Sequence, residues 1–80
     1  MKIIKFCSDT CEACEVLDSN LKKAGIEYES VDINSEEDDI LIETYKIHAI
    51  PTLIKENNGV EIDRYIGVMT EKQLKHWCND

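Results

Sequence analysis

Apolar and polar residues follow two rhythms along this chain, and the changes of rhythm divide it into strands and helices. Lys2-Ile3-Ile4-Lys5-Phe6-Cys7 is dense in β-branched and aromatic residues, and its adjacent isoleucines suit a strand buried on both faces, hence a central one. Ser8-Asp9-Thr10 then supplies turn and capping chemistry. Beyond it, Ala13, Val16, Leu17, Leu21 and Ala24 recur with the 3.6-residue period of an amphipathic helix, which Gly25 closes as a C-terminal cap. Residues 26–33 read as a second strand. A helix lying between two strands makes them parallel neighbours joined by a right-handed crossover.

Ser35 and Asp38 have the spacing of a capping box before a second helix, whose apolar stripe is Leu41, Ile42 and Tyr45. The chain then runs into Ile47-His48-Ala49-Ile50-Pro51. Residues 52–56 and Val60–Ile66 alternate, and Asn57-Asn58-Gly59 between them tolerates positive φ, which predicts a β-hairpin. Gly67 interrupts the strand pattern. Thr70 with Gln73 offers another capping box, and Leu74, Trp77 and Cys78 give a short final helix. The order is βαβαββα, an α/β arrangement without repeat or linker, so residues 1–80 are expected to form a single domain.

Charge and length narrow the function. Seventeen acidic against nine basic residues leave a net charge of −8, which repels nucleic-acid phosphates and anionic lipid headgroups; neither is an expected partner. The densest run, Glu36-Glu37-Asp38-Asp39, falls at a helix start, where it complements the helix dipole or offers a docking face to a basic partner. No stretch approaches the roughly 18 apolar residues of a membrane span. Ile3-Ile4 between lysines is too short for the apolar core of a signal peptide, so the four cysteines are expected in a reducing cytoplasm, in a monomer.

The chemistry centres on Cys11-Glu12-Ala13-Cys14, at the join of the first strand and first helix. Two thiols two residues apart can close into one disulfide within a turn, and free N–H groups at a helix start stabilise the outer thiolate. Cys11 is then the nucleophile and Cys14 its partner in a redox-active disulfide. Cys7 extends the pattern to C-x-x-x-C-x-x-C, so a cysteine-based metal-binding module using Cys7, Cys11 and Cys14 is the alternative from another class. The motif lacks a second close pair, and no metal is expected. His48 reads as an exposed loop histidine and Trp77 as packing.

Cys11-Glu12-Ala13-Cys14 after a strand, Ile50-Pro51-Thr52 opening a hairpin and Tyr65-Ile66-Gly67 closing it together resemble the thioredoxin and glutaredoxin superfamily, over nearly the whole chain. The resemblance implies a thioredoxin fold: a four-stranded mixed sheet, order 2-1-3-4, with three helices on its faces. It implies a thiol–disulfide oxidoreductase without cofactor, acting on disulfide-containing proteins, with a thioredoxin-reductase-like electron donor or glutathione. Cys11 and Cys14 would be catalytic. Pro51 would be cis and beside the disulfide, with the Ile50 backbone pairing with an extended substrate, Gly67 lining the same groove and Thr10 at its rim. The later half is more similar to thioredoxins, the length to glutaredoxins. Three positions depart from the pattern: Glu12-Ala13 lies between the cysteines, Lys5 stands where thioredoxins hold a buried acid, and the segment around Gly67 lacks the glutaredoxin glycine pair and acid.

Overall fold

β1 (Lys2–Cys7) lies between β2 (Glu29–Asp32) and β3 (Thr52–Asn57), with β4 (Val60–Ile66) beyond β3, in the computed structural model that describes residues 1–79. The sheet order is β2-β1-β3-β4. β1 and β2 are parallel, whereas β3 is antiparallel to both β1 and β4. Central placement of β1 explains its two isoleucines. Ile3 packs with Leu17, Leu21, Leu53, Met69 and Leu74 on one face of the sheet, and Ile4 with Phe6, Val31 and Ile54 on the other. α1 (Glu12–Lys23) and α3 (Glu71–Cys78) cover the first face; Ile42 and Tyr45, from α2 (Asp39–Thr44) and its C-terminal cap, help to cover the second.

Turn chemistry sets the remaining geometry. Asn58 (φ 53°) and Gly59 (φ 81°) form the two-residue β3–β4 loop, the positive-φ pair whose twist suits a tight hairpin. At α3, Thr70 Oγ1 accepts from the Gln73 N–H at 3.2 Å while Gln73 Oε1 accepts from the Thr70 N–H at 2.9 Å, so the capping box forms.

Elsewhere the local expectations need correction. The N-cap of α1 is Cys11 itself rather than the Ser8-Asp9-Thr10 turn, because Ser8 Oγ is engaged with Thr10. Val16 is exposed, so the helix buries a narrower stripe of Cys14, Leu17 and Leu21. Gly25 (φ 70°) follows the cap residue Ala24 and turns the chain out of the helix. β2 occupies only Glu29–Asp32, since pairing with β1 begins at Ile4↔Glu29. Ser35 makes no side-chain cap, and a 3-10 turn at Glu36–Asp38 precedes α2, which is six residues long. Among the described residues, no helix is long and apolar enough to cross a membrane.

Candidate functional site

Strand register brings the candidate residues to one end of the sheet. Phe6 pairs with Thr52, Thr52 with Ile66, and Cys7 with Asp32. The segments just beyond these pairs therefore emerge side by side: the loop leading to Cys11, the Ile50-Pro51 bend and Gly67. A 2.9 Å hydrogen bond from the Gly67 N–H to the Pro51 carbonyl joins two of them. The Ile50–Pro51 bond is cis, and Pro51 is fully buried. Thr52 Oγ1 donates to the Ala49 carbonyl at 2.6 Å and fixes the bend from inside. Ile50 is half-buried, in a cleft shared with Ile33, Ile42, Ile47 and the exposed His48.

At the start of α1 the sequence places a thiol where serine or aspartate usually sits. Cys11 has extended backbone (φ −95°, ψ 109°), and its Sγ accepts a 3.1 Å hydrogen bond from the Cys14 N–H. One free N–H of the helix start is thus spent on sulfur. Cys11 is half-buried and Cys14 is buried at 3% exposure, one turn deeper. Burial, then the Cys11 hydrogen bond, push the Cys14 thiol up to about 12. The two sulfurs therefore differ in kind: one is reachable and capped by N–H, the other is covered and holds its proton. Thr10, exposed at the rim, is tied to Ser8 through its N–H (3.3 Å) and hydroxyl (3.1 Å).

Behind Cys14 lies a cavity of about 290 Å³ whose lining includes Lys5, Cys7, Asp18 and Ser30. Cys7 is half-buried, its sulfur 3.7 Å from Ser30 Oγ. Lys5 is buried, and its Nζ meets Asp18 Oδ1 at 2.9 Å. Lys22 also reaches Asp18, at 3.1 Å, and the Tyr28 hydroxyl donates to the same carboxylate. Lys5 beside Asp18 holds that carboxyl below its usual range, with Lys22 adding to the effect and burial opposing it. Asp18 and Tyr28 were not legible as site residues. A lysine inside an apolar strand demands an anionic partner, and that demand was the available signal. Among the described residues, no group of three or more His, Cys, Asp or Glu side chains is arranged to hold a metal ion.

The Thioredoxin family model matches residues 1–80. Thioredoxin from Chlamydia pneumoniae is 30% identical over 80 residues, covering 96% of this chain and 78% of that protein. Mitochondrial thioredoxin from Mus musculus is 29% identical over 79 residues, covering 91% of this chain. The chain spans about half the length, 46%, of that mitochondrial relative. Among solved structures, thioredoxin-2 of a malaria parasite superposes with a TM-score of 0.84 at 19% identity, over 96% of this chain and 79% of that one. A thioredoxin from Halobacterium salinarum gives 0.84 at 20% identity, over 96% and 70%. These similarities share the four-stranded fold described above, and with a family match running through residues 1–80 this chain belongs to the thioredoxin family.

Proposed function

We propose that the chain is a small thiol–disulfide oxidoreductase that reduces protein disulfides through Cys11 and Cys14. The observation carrying this reading is the asymmetry of the pair: a half-exposed Cys11 sulfur held by the Cys14 N–H at 3.1 Å, above a buried Cys14. The Cys11 thiolate attacks one sulfur of a client disulfide. A mixed disulfide forms, and the other client sulfur leaves with its electron pair and takes up a proton. Cys14 then gives up its proton and attacks the Cys11 sulfur, so that the second client sulfur leaves. The client gains two electrons, and Cys11–Cys14 is left as a disulfide.

Thr10, Ile50, Pro51 and Gly67 form the client groove, with the Ile50 backbone pairing with an extended client segment. The common end of the sheet supports this assignment. A thioredoxin-reductase-like donor restores the dithiol; glutathione is the competing electron source. Residues 1–80 work as one domain, as a monomer, in the cytoplasm.

Turnover of a disulfide-bonded protein such as insulin tests the proposal. Cys11→Ser abolishes reduction, whereas Cys14→Ser accumulates a protein–client adduct visible by mass. Undiminished turnover in either variant overturns the mechanism. Supplying electrons from glutathione or from a purified thioredoxin reductase, in parallel, identifies the donor.

A further inference from the structure

The reaction above leaves the buried charge of Lys5 without a task. Lys5 stands on the central strand at 4% exposure, paired with Asp18 at 2.9 Å and 5.2 Å from the Tyr28 ring centroid. Pairing explains why the ammonium is tolerated there. It does not explain why a charge is present, since a buried ion pair replaced by apolar residues of similar volume is often no less stable. The cavity supplies the missing context, because Lys5 and Asp18 share it with Cys14.

We propose that Lys5, which lines the same cavity as Cys14, is a positioning residue for the second half of the exchange: its ammonium favours the thiolate as Cys14 attacks, while Asp18 opposes it. This rests on the dithiol reading given above. When Cys14 attacks Cys11, its proton leaves to solvent and negative charge develops on a buried sulfur. The new S–S bond forms as the Cys11–client bond breaks, and the client sulfur departs with its electron pair. The buried thiol, pushed up to about 12, ionises reluctantly, so any nearby cation matters to the rate.

The charged and titratable groups that line the cavity with Cys14 are Lys5 and Cys7 from β1, Asp9 from the following loop, and Glu15 and Asp18 from α1, and Cys11, the cap of α1, meets Cys14 directly. β2 contributes only the Ser30 hydroxyl to the cavity. Among the described residues Lys5 is thus the single cation lining it, and Asp18, braced by Lys22 and the Tyr28 hydroxyl, holds part of its charge. The carboxylate acts as a restraint on the lysine rather than as the proton acceptor.

Two-phase kinetics test this, in a Cys7→Ser, Cys78→Ser background so that only the dithiol reacts. Rapid mixing of the reduced protein with dithiobis-nitrobenzoate releases one coloured thiolate when Cys11 attacks and a second when Cys14 resolves the adduct. Lys5→Met should slow the second phase about tenfold and move its pH–rate profile up by about one unit. Lys5→Arg should restore most of the rate, and Asp18→Asn should accelerate the second phase. Slowing in Asp18→Asn would make the carboxylate the proton acceptor and overturn the proposal. So would an unchanged second phase in a Lys5→Met protein with native circular dichroism. Should Lys5→Met not fold, Asp18→Asn carries the test, since it keeps the lysine: acceleration supports the proposal, and no change or slowing ends it. Absence of even the first phase in the parent protein would be a failure of the dithiol reading instead.

Discussion

Lys55 Nζ donates a 2.5 Å hydrogen bond to the Trp77 carbonyl and lies 5.2 Å from the centroid of the same residue's ring. Asp63, the register partner of Lys55 across the hairpin, accepts from Trp77 Nε1 at 2.8 Å. β3 and β4 thus hold the last helix from two sides through one residue. A cation over an indole contributes about 1 kcal/mol and a charged hydrogen bond about 1.5–3 kcal/mol. Lys55→Ala should therefore lower the unfolding free energy by about 2–3 kcal/mol, with a shift in fluorescence of the single tryptophan. Denaturant titration followed by that fluorescence checks both. A loss under about 0.5 kcal/mol would mean that the helix is held by its apolar contacts alone.

Acid sensitivity should trace to Asp18. Its carboxyl is held below the ordinary value of 3.8, chiefly by Lys5. A depressed folded-state pKa contributes stability that is present above the unfolded value and is lost as pH falls through the folded one. The urea midpoint should hold at neutral pH and decline below about pH 4. Asp18→Asn should start lower and lose less over the same range. Parallel acid limbs for the two proteins would place the sensitivity elsewhere.

At the alkaline end the sign reverses. Burial raises the folded Cys14 thiol from 9.0 to about 12, so its contribution is complete below the unfolded value and is lost as pH climbs between the two. Thiolate absorbance isolates the group in a Cys7→Ser, Cys11→Ser, Cys78→Ser protein. Replacing the Cys11 thiol by a hydroxyl removes the titrating neighbour but leaves burial, the largest cause, in place. Titration should still fall well above 9.0. A value at or below that would show Cys14 to be wet.

Gly67 carries φ +114°, a conformation that side chains rarely adopt, while an added Cβ would meet only Tyr65 Cε1, at an ordinary 3.8 Å. Its cost on substitution is therefore conformational, about 1–3 kcal/mol. Gly67→Ala should lower the melting temperature and disturb the 2.9 Å bond to the Pro51 carbonyl, raising KM for a protein client more than it lowers kcat. Unchanged stability and KM would show that the backbone relaxes there without consequence.

Element order and the dithiol were legible because they rest on short-range signals. The isoleucine pair of β1, the Asn58-Gly59 turn and the Thr70/Gln73 box each act within a few residues. The same local logic placed the dithiol at the start of α1 but assigned the cap to Ser8-Asp9-Thr10, whereas Ser8 and Thr10 bond each other and leave Cys11 as the cap. It also credited Ser35 with a capping box where a 3-10 turn forms instead. Lys5 and Asp18 lie 13 residues apart on different elements, and no sequence period links a strand position to one face of the following helix. Convergence of Thr10, Cys11, Pro51 and Gly67 on one end of the sheet likewise follows from strand register, which the resemblance implied and local pattern could not supply.

Register has one more effect. On the face covered by α1 and α3, Ile3 sits opposite Lys55, and Lys5 sits opposite Leu53. Lysine and aliphatic residue thus trade places from rung to rung, like the squares of a chessboard. Sliding β1 along β3 by one residue would turn the Lys5 ammonium away from Asp18 and set it among the apolar partners of Phe6. The two innermost strands therefore proofread their own alignment, and the ends of those strands, where the cysteines and the proline emerge, inherit that accuracy.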